Sequence, residues 1–243
     1  QREFILGTHA QKWKATLAHR FVELLDRKTD KLARLYTQNI DGLEDQTTLP
    51  VDKIIGVHGS MDRAECARCQ SPADFDGFCR SVATQIKDLS GRDPKAPKVS
   101  TPIECSVCGY GAVKPAIVLF KSSLPRIFFE KVPDDVEDVD LLFVVGTSLR
   151  VAPANSLVWR IPRAALRVLV NREPAGQHLG MRGPEDDPKR DYHASGDCDD
   201  MFLELMEHLG WLDDLRPLLD GDRLPQECKA KLAAKLEDVP NTS

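Results

Sequence analysis

Four cysteines in two like-spaced pairs, Cys66-x-x-Cys69 and Cys105-x-x-Cys108, are the residues of this chain whose spacing most directly implies chemistry. Each pair sets two thiolates on a tight turn, and two such turns complete a tetrahedral site for Zn2+. Four protein ligands leave no open position, so the ion is expected to hold structure rather than to activate water. The same cysteines can also stand reduced in a loop or act as a redox pair; two pairs flanking one insertion are better explained by a shared ion.

A second group of residues is polar and lies just behind short apolar runs. Gly146-Thr147-Ser148 follows Leu141 to Val145. A glycine there lets the backbone approach a ligand while the hydroxyls hydrogen-bond, although the same tripeptide also serves as a plain turn and helix cap. Asn171, Arg172 and Glu173 follow Leu166 to Val170, a place from which a carboxylate can accept hydrogen bonds from a ribose diol. Gln38, Asn39, Ile40 and Asp41 follow Leu32 to Tyr36, and read equally as a polar turn whose Asn and Asp bond their own backbone. His58 follows Ile54 to Val57. Imidazole changes charge near neutral pH, so it can take a proton from a hydroxyl, or it can be a turn residue before Gly59.

These groups need strands that end together. The runs 32–36, 53–57, 116–120, 140–145 and 166–170 predict strands, and Leu17, Phe21, Leu24 and Leu25 at helical spacing predict a helix over 13–28. A further helix is expected after Gly196-Asp197-Cys198-Asp199, carrying Phe202, Leu205, Met206 and Leu209 and ending at Gly210. Strands alternating with helices predict an α/β fold with a mainly parallel, doubly wound, Rossmann-like sheet, in which ligands bind beyond the carboxyl ends of the strands. Residues 61–112, with paired cysteines at each end and Gly, Pro, Lys and Asp between, read as a small inserted zinc-binding module. The expected organisation is a Rossmann-like domain of 1–60 and 113–212, the module 61–112, and a C-terminal tail 213–243, charged and either helical or loosely ordered from Asp220 onward.

The 243 residues suffice for such a domain and its insertion. A net charge of -5 gives no general attraction to phosphate backbones or anionic lipid, which argues against nucleic acid as a direct ligand. No run approaches the roughly 20 apolar residues that span a bilayer. Paired cysteines in an odd set of seven, without a secretory leader, point to a reducing compartment, the cytoplasm or the nucleus. The opening Gln1-Arg2-Glu3-Phe4 has no initiator Met and enters a helical pattern at once, so the chain is expected to begin inside a longer protein.

In order along the chain, several strings resemble the sirtuin family: Tyr36-Thr37-Gln38-Asn39-Ile40-Asp41-Gly42-Leu43-Glu44, Val57-His58-Gly59-Ser60, the four cysteines, and Val113-Lys114-Pro115. Gly146-Thr147-Ser148-Leu149, Val170-Asn171-Arg172-Glu173-Pro174-Ala175-Gly176 and Gly196-Asp197-Cys198-Asp199 continue the match to about residue 211. The resemblance implies an NAD-dependent protein-lysine deacylase that takes acyl-lysine proteins such as histones. In that family the acyl oxygen displaces nicotinamide from the ribose, and an active-site His then promotes attack by a ribose hydroxyl, giving free lysine, nicotinamide and O-acyl-ADP-ribose. Carried over, His58 is the base, and Gln38, Asn39, Ile40 and Asp41 adjoin the nicotinamide ribose. Gly146, Thr147, Ser148, Asn171, Arg172, Glu173 and Cys198 line the rest of the NAD site, and Val118, Leu119 and Phe120 pair with the substrate backbone.

Two departures bear on the activity. Relatives usually read Asp-Ile-Val-x-Phe-Gly-Glu where this chain has Ala116-Ile117-Val118-Leu119-Phe120-Lys121-Ser122. The family's opening strand, Gly-Ala-Gly-x-Ser phosphate loop and Asp-Phe-Arg segment would all precede Gln1, so the chain by itself is expected to bind NAD poorly. It then reads as a fragment of a competent enzyme or as an impaired relative that binds NAD-like ligands or partners. A mono-ADP-ribosyltransferase, which uses the same NAD cleavage with another acceptor, is the third reading.

Overall fold

The computed structural model of the chain describes residues 1–119, 122–182 and 190–238. In chain order its elements are α1 (Arg2–His9), α2 (Leu17–Thr29), β1 (Leu35–Thr37), β2 (Ile54–Gly56), β3 (Gly59–Cys66), β4 (Pro72–Ala73), α3 (Phe75–Gln85) and β5 (Val113–Ile117). There follow α4 (Arg126–Asp135), β6 (Leu141–Val145), α5 (Leu157–Arg160), β7 (Leu166–Asn171), β8 (Asp191–Ser195), α6 (Cys198–His208) and α7 (Gln226–Asp238). They divide into two compact units: Gln1–Trp13 with Tyr36–Leu43 and Gly56–Pro125, and Lys14–Leu35 with Glu44–Ile55 and Arg126–Ser243. β1 and β2 form a two-stranded sheet of their own.

In the second unit β6, β7 and β8 are parallel neighbours, with Val145 opposite Val170 and Asn171 opposite Ser195. Side chains alternate between the faces of a strand. Phe143, Val168, Val170 and Ala194 therefore meet α2 and α6 on one face, while Leu142, Val144 and Leu169 meet Leu149, Val158 and Met181 on the other. Packing on both faces is why β6 and β7 read as largely apolar runs in the sequence, Arg167 apart. α2 starts at Leu17 rather than Trp13 because Thr16 is extended and accepts the cap, its own N–H donating to His19 Nδ1 at 3.1 Å. Leu17, Phe21 and Leu24 then fall on one buried stripe, and the Phe21 ring stacks on Phe202 of α6 with centroids 4.4 Å apart.

Residues past 212, whose charge suggested a tail, contribute Leu215, Leu218, Leu224, Cys228, Leu232 and Leu236 to the same core. Cys228, Leu232 and Leu236 recur every fourth residue along α7, a helical stripe that the charged residues between them obscure.

Deeper in the sheet, Arg167 of β7 grips Asp191 of β8 through two 2.6 Å bonds, both side chains almost wholly buried. Arg167 also donates to the carbonyls of Val158 and Gly180, and the Arg182 N–H donates to Asp191. Asp191→Ala strands a buried guanidinium and is expected to lower the free energy of unfolding by about 3–5 kcal/mol. The double change to Arg167→Met and Asp191→Leu should recover most of that loss in urea titrations. Equal losses in the single and double variants would show that packing, not charge, holds the position.

The first unit has an antiparallel sheet in the order β4-β3-β5, so the sheets are mixed rather than mainly parallel. Of the run expected as a strand over 116–120, Ala116 and Ile117 belong to this sheet: β5 spans Val113–Ile117 and pairs antiparallel with β3, with Lys114 Nζ 2.7 Å from Glu65 across the pair. Ser60 faces Ala116 and Ala64 faces Pro115, so Met61, Asp62 and Arg63 bulge out between them. α1 and α3 cover the sheet with a core of Ile5, Met61, Ala64, Phe78, Cys79 and Val82. Arg2 ties α1 to this unit through Ala83 O at 3.1 Å and Asp93 at 2.6 Å. Among the described residues no helix is long and apolar enough to cross a membrane.

Candidate active site

His58 stands between β2 and β3 on a backbone held from two directions. The Val57 N–H donates to Thr37 O at 2.8 Å, and the Val118 N–H donates to His58 O at 2.9 Å. Next to it Gly59 has φ +73, and a Cβ there would lie 2.1 Å from Ala116 O. Only glycine permits that approach, which brings the end of β5 beside His58.

The segment after β1 is fixed by its own turn and by the β3 bulge. Asn39 N–H donates to Thr37 Oγ1 at 3.2 Å, Leu43 N–H to Asp41 Oδ1 at 3.3 Å, and Met61 N–H of the bulge to Ile40 O at 2.8 Å. Gly42, at φ +71, leaves room for the Asp62 carboxylate against the same turn. Gln38, Asp41 and His58 are half-buried and Asn39 is exposed, whereas the Ile40 side chain packs against the Ile5–Met61–Val82 core. Val118 spends its N–H on His58 O, and Leu119 is exposed with its carbonyl accepting from Ser122 N–H at 2.9 Å. Phe120 and Lys121 lie outside the described residues.

The cysteine pairs form two turns of one design. Arg68 N–H donates to Cys66 Sγ and Val107 N–H to Cys105 Sγ, each at 3.4 Å. Gln70 N–H bonds Cys66 O and Gly109 N–H bonds Cys105 O, both donors sitting at positive φ. The four sulfurs lie within 4.8 Å of one another, and Cys66–Cys108 and Cys69–Cys105 are each 3.7 Å apart. A Zn–S bond of about 2.3 Å in tetrahedral geometry requires an S···S edge of about 3.8 Å, so the cluster fits zinc. The Ser71 hydroxyl, 3.3 Å from Cys69 Sγ, and then the Ser71 N–H stabilise the thiolate and bring the Cys69 thiol down to about 6.

In the second unit three adjacent strands deliver their carboxyl ends side by side. After β6, Gly146 takes φ +59 and donates its N–H to Val170 O at 3.0 Å; the nearest atom to its missing Cβ is Cys198 Sγ at 3.7 Å. Thr147 Oγ1 accepts from Leu149 N–H at 3.2 Å. After β7, Asn171 Nδ2 donates to Glu173 O at 2.7 Å, and Arg172 Nη2 to Asp197 at 2.8 Å. After β8, Asp197 caps α6 by accepting from Asp199 N–H, and Cys198 begins the helix. Burial, and next the Asp197 charge, push the Cys198 thiol up, keeping it a neutral donor to Val170 O.

A family model described as the Sir2 family matches residues 3–153. The chain belongs to that family. Similar proteins include the NAD-dependent protein deacetylase hst2 of Schizosaccharomyces pombe, 36% identical over 86% of this chain and 56% of that protein. The NAD-dependent protein deacetylase hst2-2 of Emericella nidulans is 35% identical over 86% of this chain and 53% of its own length. The NAD-dependent protein deacetylase sirtuin-2 of Danio rerio is 33% identical over 86% of this chain and 54% of its own length. The chain thus spans about half the length of the curated relatives it matches.

Within this Sir2 chain the predicted site residues fall into two groups, one in each unit. Gln38, Asn39, Ile40, Asp41, His58 and the cysteines lie in the first, with Val118 and Leu119; Gly146, Thr147, Ser148, Asn171, Arg172, Glu173 and Cys198 lie in the second. Sequence reasoning passed over the residues that brace the second group. His193 Nε2 lies 2.9 Å from Asn171 O, Ser195 Oγ donates to Arg172 O at 3.2 Å, and Asp197 holds Arg172. Asp197 stood in the Gly196-Asp197-Cys198-Asp199 string without a role, and the signal for His193 and Ser195 is the alternation in Asp191-Tyr192-His193-Ala194-Ser195, too polar to announce a strand.

Proposed function

We propose that this Sir2 chain supplies the catalytic machinery of an NAD-dependent protein-lysine deacylase on a Rossmann-like NAD-binding framework. The observation that carries the reading is the side-by-side arrangement of Gly146-Thr147-Ser148, Asn171-Arg172-Glu173 and Cys198 beyond adjacent parallel strands. Donors and bare backbone at such a place suit a dinucleotide. NAD, when bound, supplies nicotinamide as leaving group and ribose as acyl acceptor. Gln38, Asn39 and Asp41 would orient the nicotinamide ribose, and Ser148, Asn171 and Glu173 the other end of the dinucleotide. His58 removes the proton from the ribose hydroxyl, its position fixed by Gly59 and the bonds to Thr37 and Val118. The zinc ion holds the cysteine turns and takes no part in proton transfer. Acyl-lysine proteins such as histones are the inferred substrates, met in the cytoplasm or nucleus, where reduced cysteines persist.

The deciding experiment incubates the full-length protein with an acetyl-lysine peptide and labelled NAD. Equal amounts of free lysine, nicotinamide and O-acetyl-ADP-ribose are expected. Label on protein without deacetylation would instead make it an ADP-ribosyltransferase, and nicotinamide retained on NAD would leave a binding protein.

A further inference from the structure

Arg172 does not stand alone at the β7 strand end. Asp197 Oδ2 takes its guanidinium at 2.8 Å, while Asp197 Oδ1 accepts the Asp199 N–H at 3.1 Å and faces Lys231 Nζ at 3.5 Å. Lys231 comes from α7 and is anchored by Asp200 at 2.8 Å and Glu227 at 3.6 Å. One carboxylate is therefore shared by two cations, one beside the proposed dinucleotide and one on the C-terminal helix. The side chains of Lys231 and Asp197 are 25% and 32% exposed, enough shelter for the charges to feel each other. Bonding first to Asp200 and then the charge of Asp197 raise the Lys231 pKa, so its amine stays a cation rather than a nucleophile.

We propose that Lys231 is a positioning residue for NAD: by sharing Asp197 it limits how tightly that carboxylate holds Arg172, and keeps the guanidinium available to the dinucleotide. This rests on the NAD reading above. Without the Lys231 charge, Asp197 acts on Arg172 alone and draws it inward. The strand end also becomes one charge more negative toward a ligand bearing two phosphates. Both effects weaken binding and neither touches His58, so KM for NAD rises while kcat stays.

The test titrates ADP-ribose into the full-length protein and its variants. Lys231→Met should bind roughly 3–5-fold more weakly, the size of one partly exposed charge interaction, and Lys231→Arg should restore the affinity. Lys235→Met is the control, because Lys235 lies on the same helix but pairs with Glu207 of α6. It should lower stability without changing affinity. In an Asp197→Asn background, where the cap survives, Lys231→Met should cost less affinity than in the wild type, because only the general charge effect remains. Equal affinity in wild type and Lys231→Met, or an equal loss in Lys235→Met, would overturn this inference alone. No binding by the wild type would overturn it together with the NAD reading.

Discussion

Replacing His58 by alanine is expected to lower kcat for lysine deacylation by about 100- to 10,000-fold, the usual contribution of a positioned general base. Thermal stability and ADP-ribose affinity should stay near wild type. The reason is geometric: the backbone bonds that fix residue 58, to Thr37 O through Val57 and from Val118 N–H, involve no imidazole atom. Alanine keeps both and removes only the proton acceptor. Gly59→Ala is the informative neighbour, since its Cβ would collide with Ala116 O at a φ of +73. It should cost both activity and stability, as the β3–β5 pairing must shift to admit it. His58→Ala that unfolds at the temperature of Gly59→Ala would mark the ring as structural. His58→Ala with near-normal kcat would move the proton transfer to another group.

The turns after β6 and β7 illustrate which parts of the site a sequence can reveal. Runs 140–145 and 166–170 coincide with β6 and β7 nearly residue for residue, because strands that pack apolar side chains on both faces carry few polar positions, Arg167 being the exception. The polar residues just behind them were legible for the same reason. β8 was not, because its only deeply buried residue is Asp191, whose partner Arg167 lies far off in sequence. Long-range ion pairing leaves no periodic trace. Ala116 and Ile117 of the run 116–120 do lie in β5, but their pairing with β3 depends on a three-residue bulge and on Gly59, neither of which periodicity records. Ile40 reads as part of a polar ligand-facing string, yet its side chain serves the core under the bulge. A helix was among the readings of the tail from Asp220 onward, but the buried face of α7 escaped because its stripe is one leucine or cysteine in four among charges, and composition averages that stripe away.

The cysteine cluster supports the other large expected effect. Stripping metal from the full-length protein at neutral pH, or Cys66→Ser, is expected to release one zinc per chain and abolish ordered structure over residues 60–117. Structural zinc is bound with about 10–16 kcal/mol in finger-type peptides, which equals or exceeds the roughly 5–15 kcal/mol that holds a whole domain. The unit has little to set against that loss, since the cluster under its sheet centres on six buried residues among the described ones. Cys66 also ends β3 and pairs with Val113 at the start of β5, so disorder in the first cysteine turn enters the sheet directly. Without the ion, only weak sulfur contacts at 3.7 Å, Cys66–Cys108 and Cys69–Cys105, would remain to close the turns. Hydrogen exchange should show amides of 60–117 losing protection while those of β6 and β7 keep theirs. Cys79→Ala, in the core but outside the cluster, should retain the zinc. Protein that carries no zinc as isolated, and whose exchange pattern is indifferent to chelator, would reduce the four cysteines to free thiols in a loop held by other contacts.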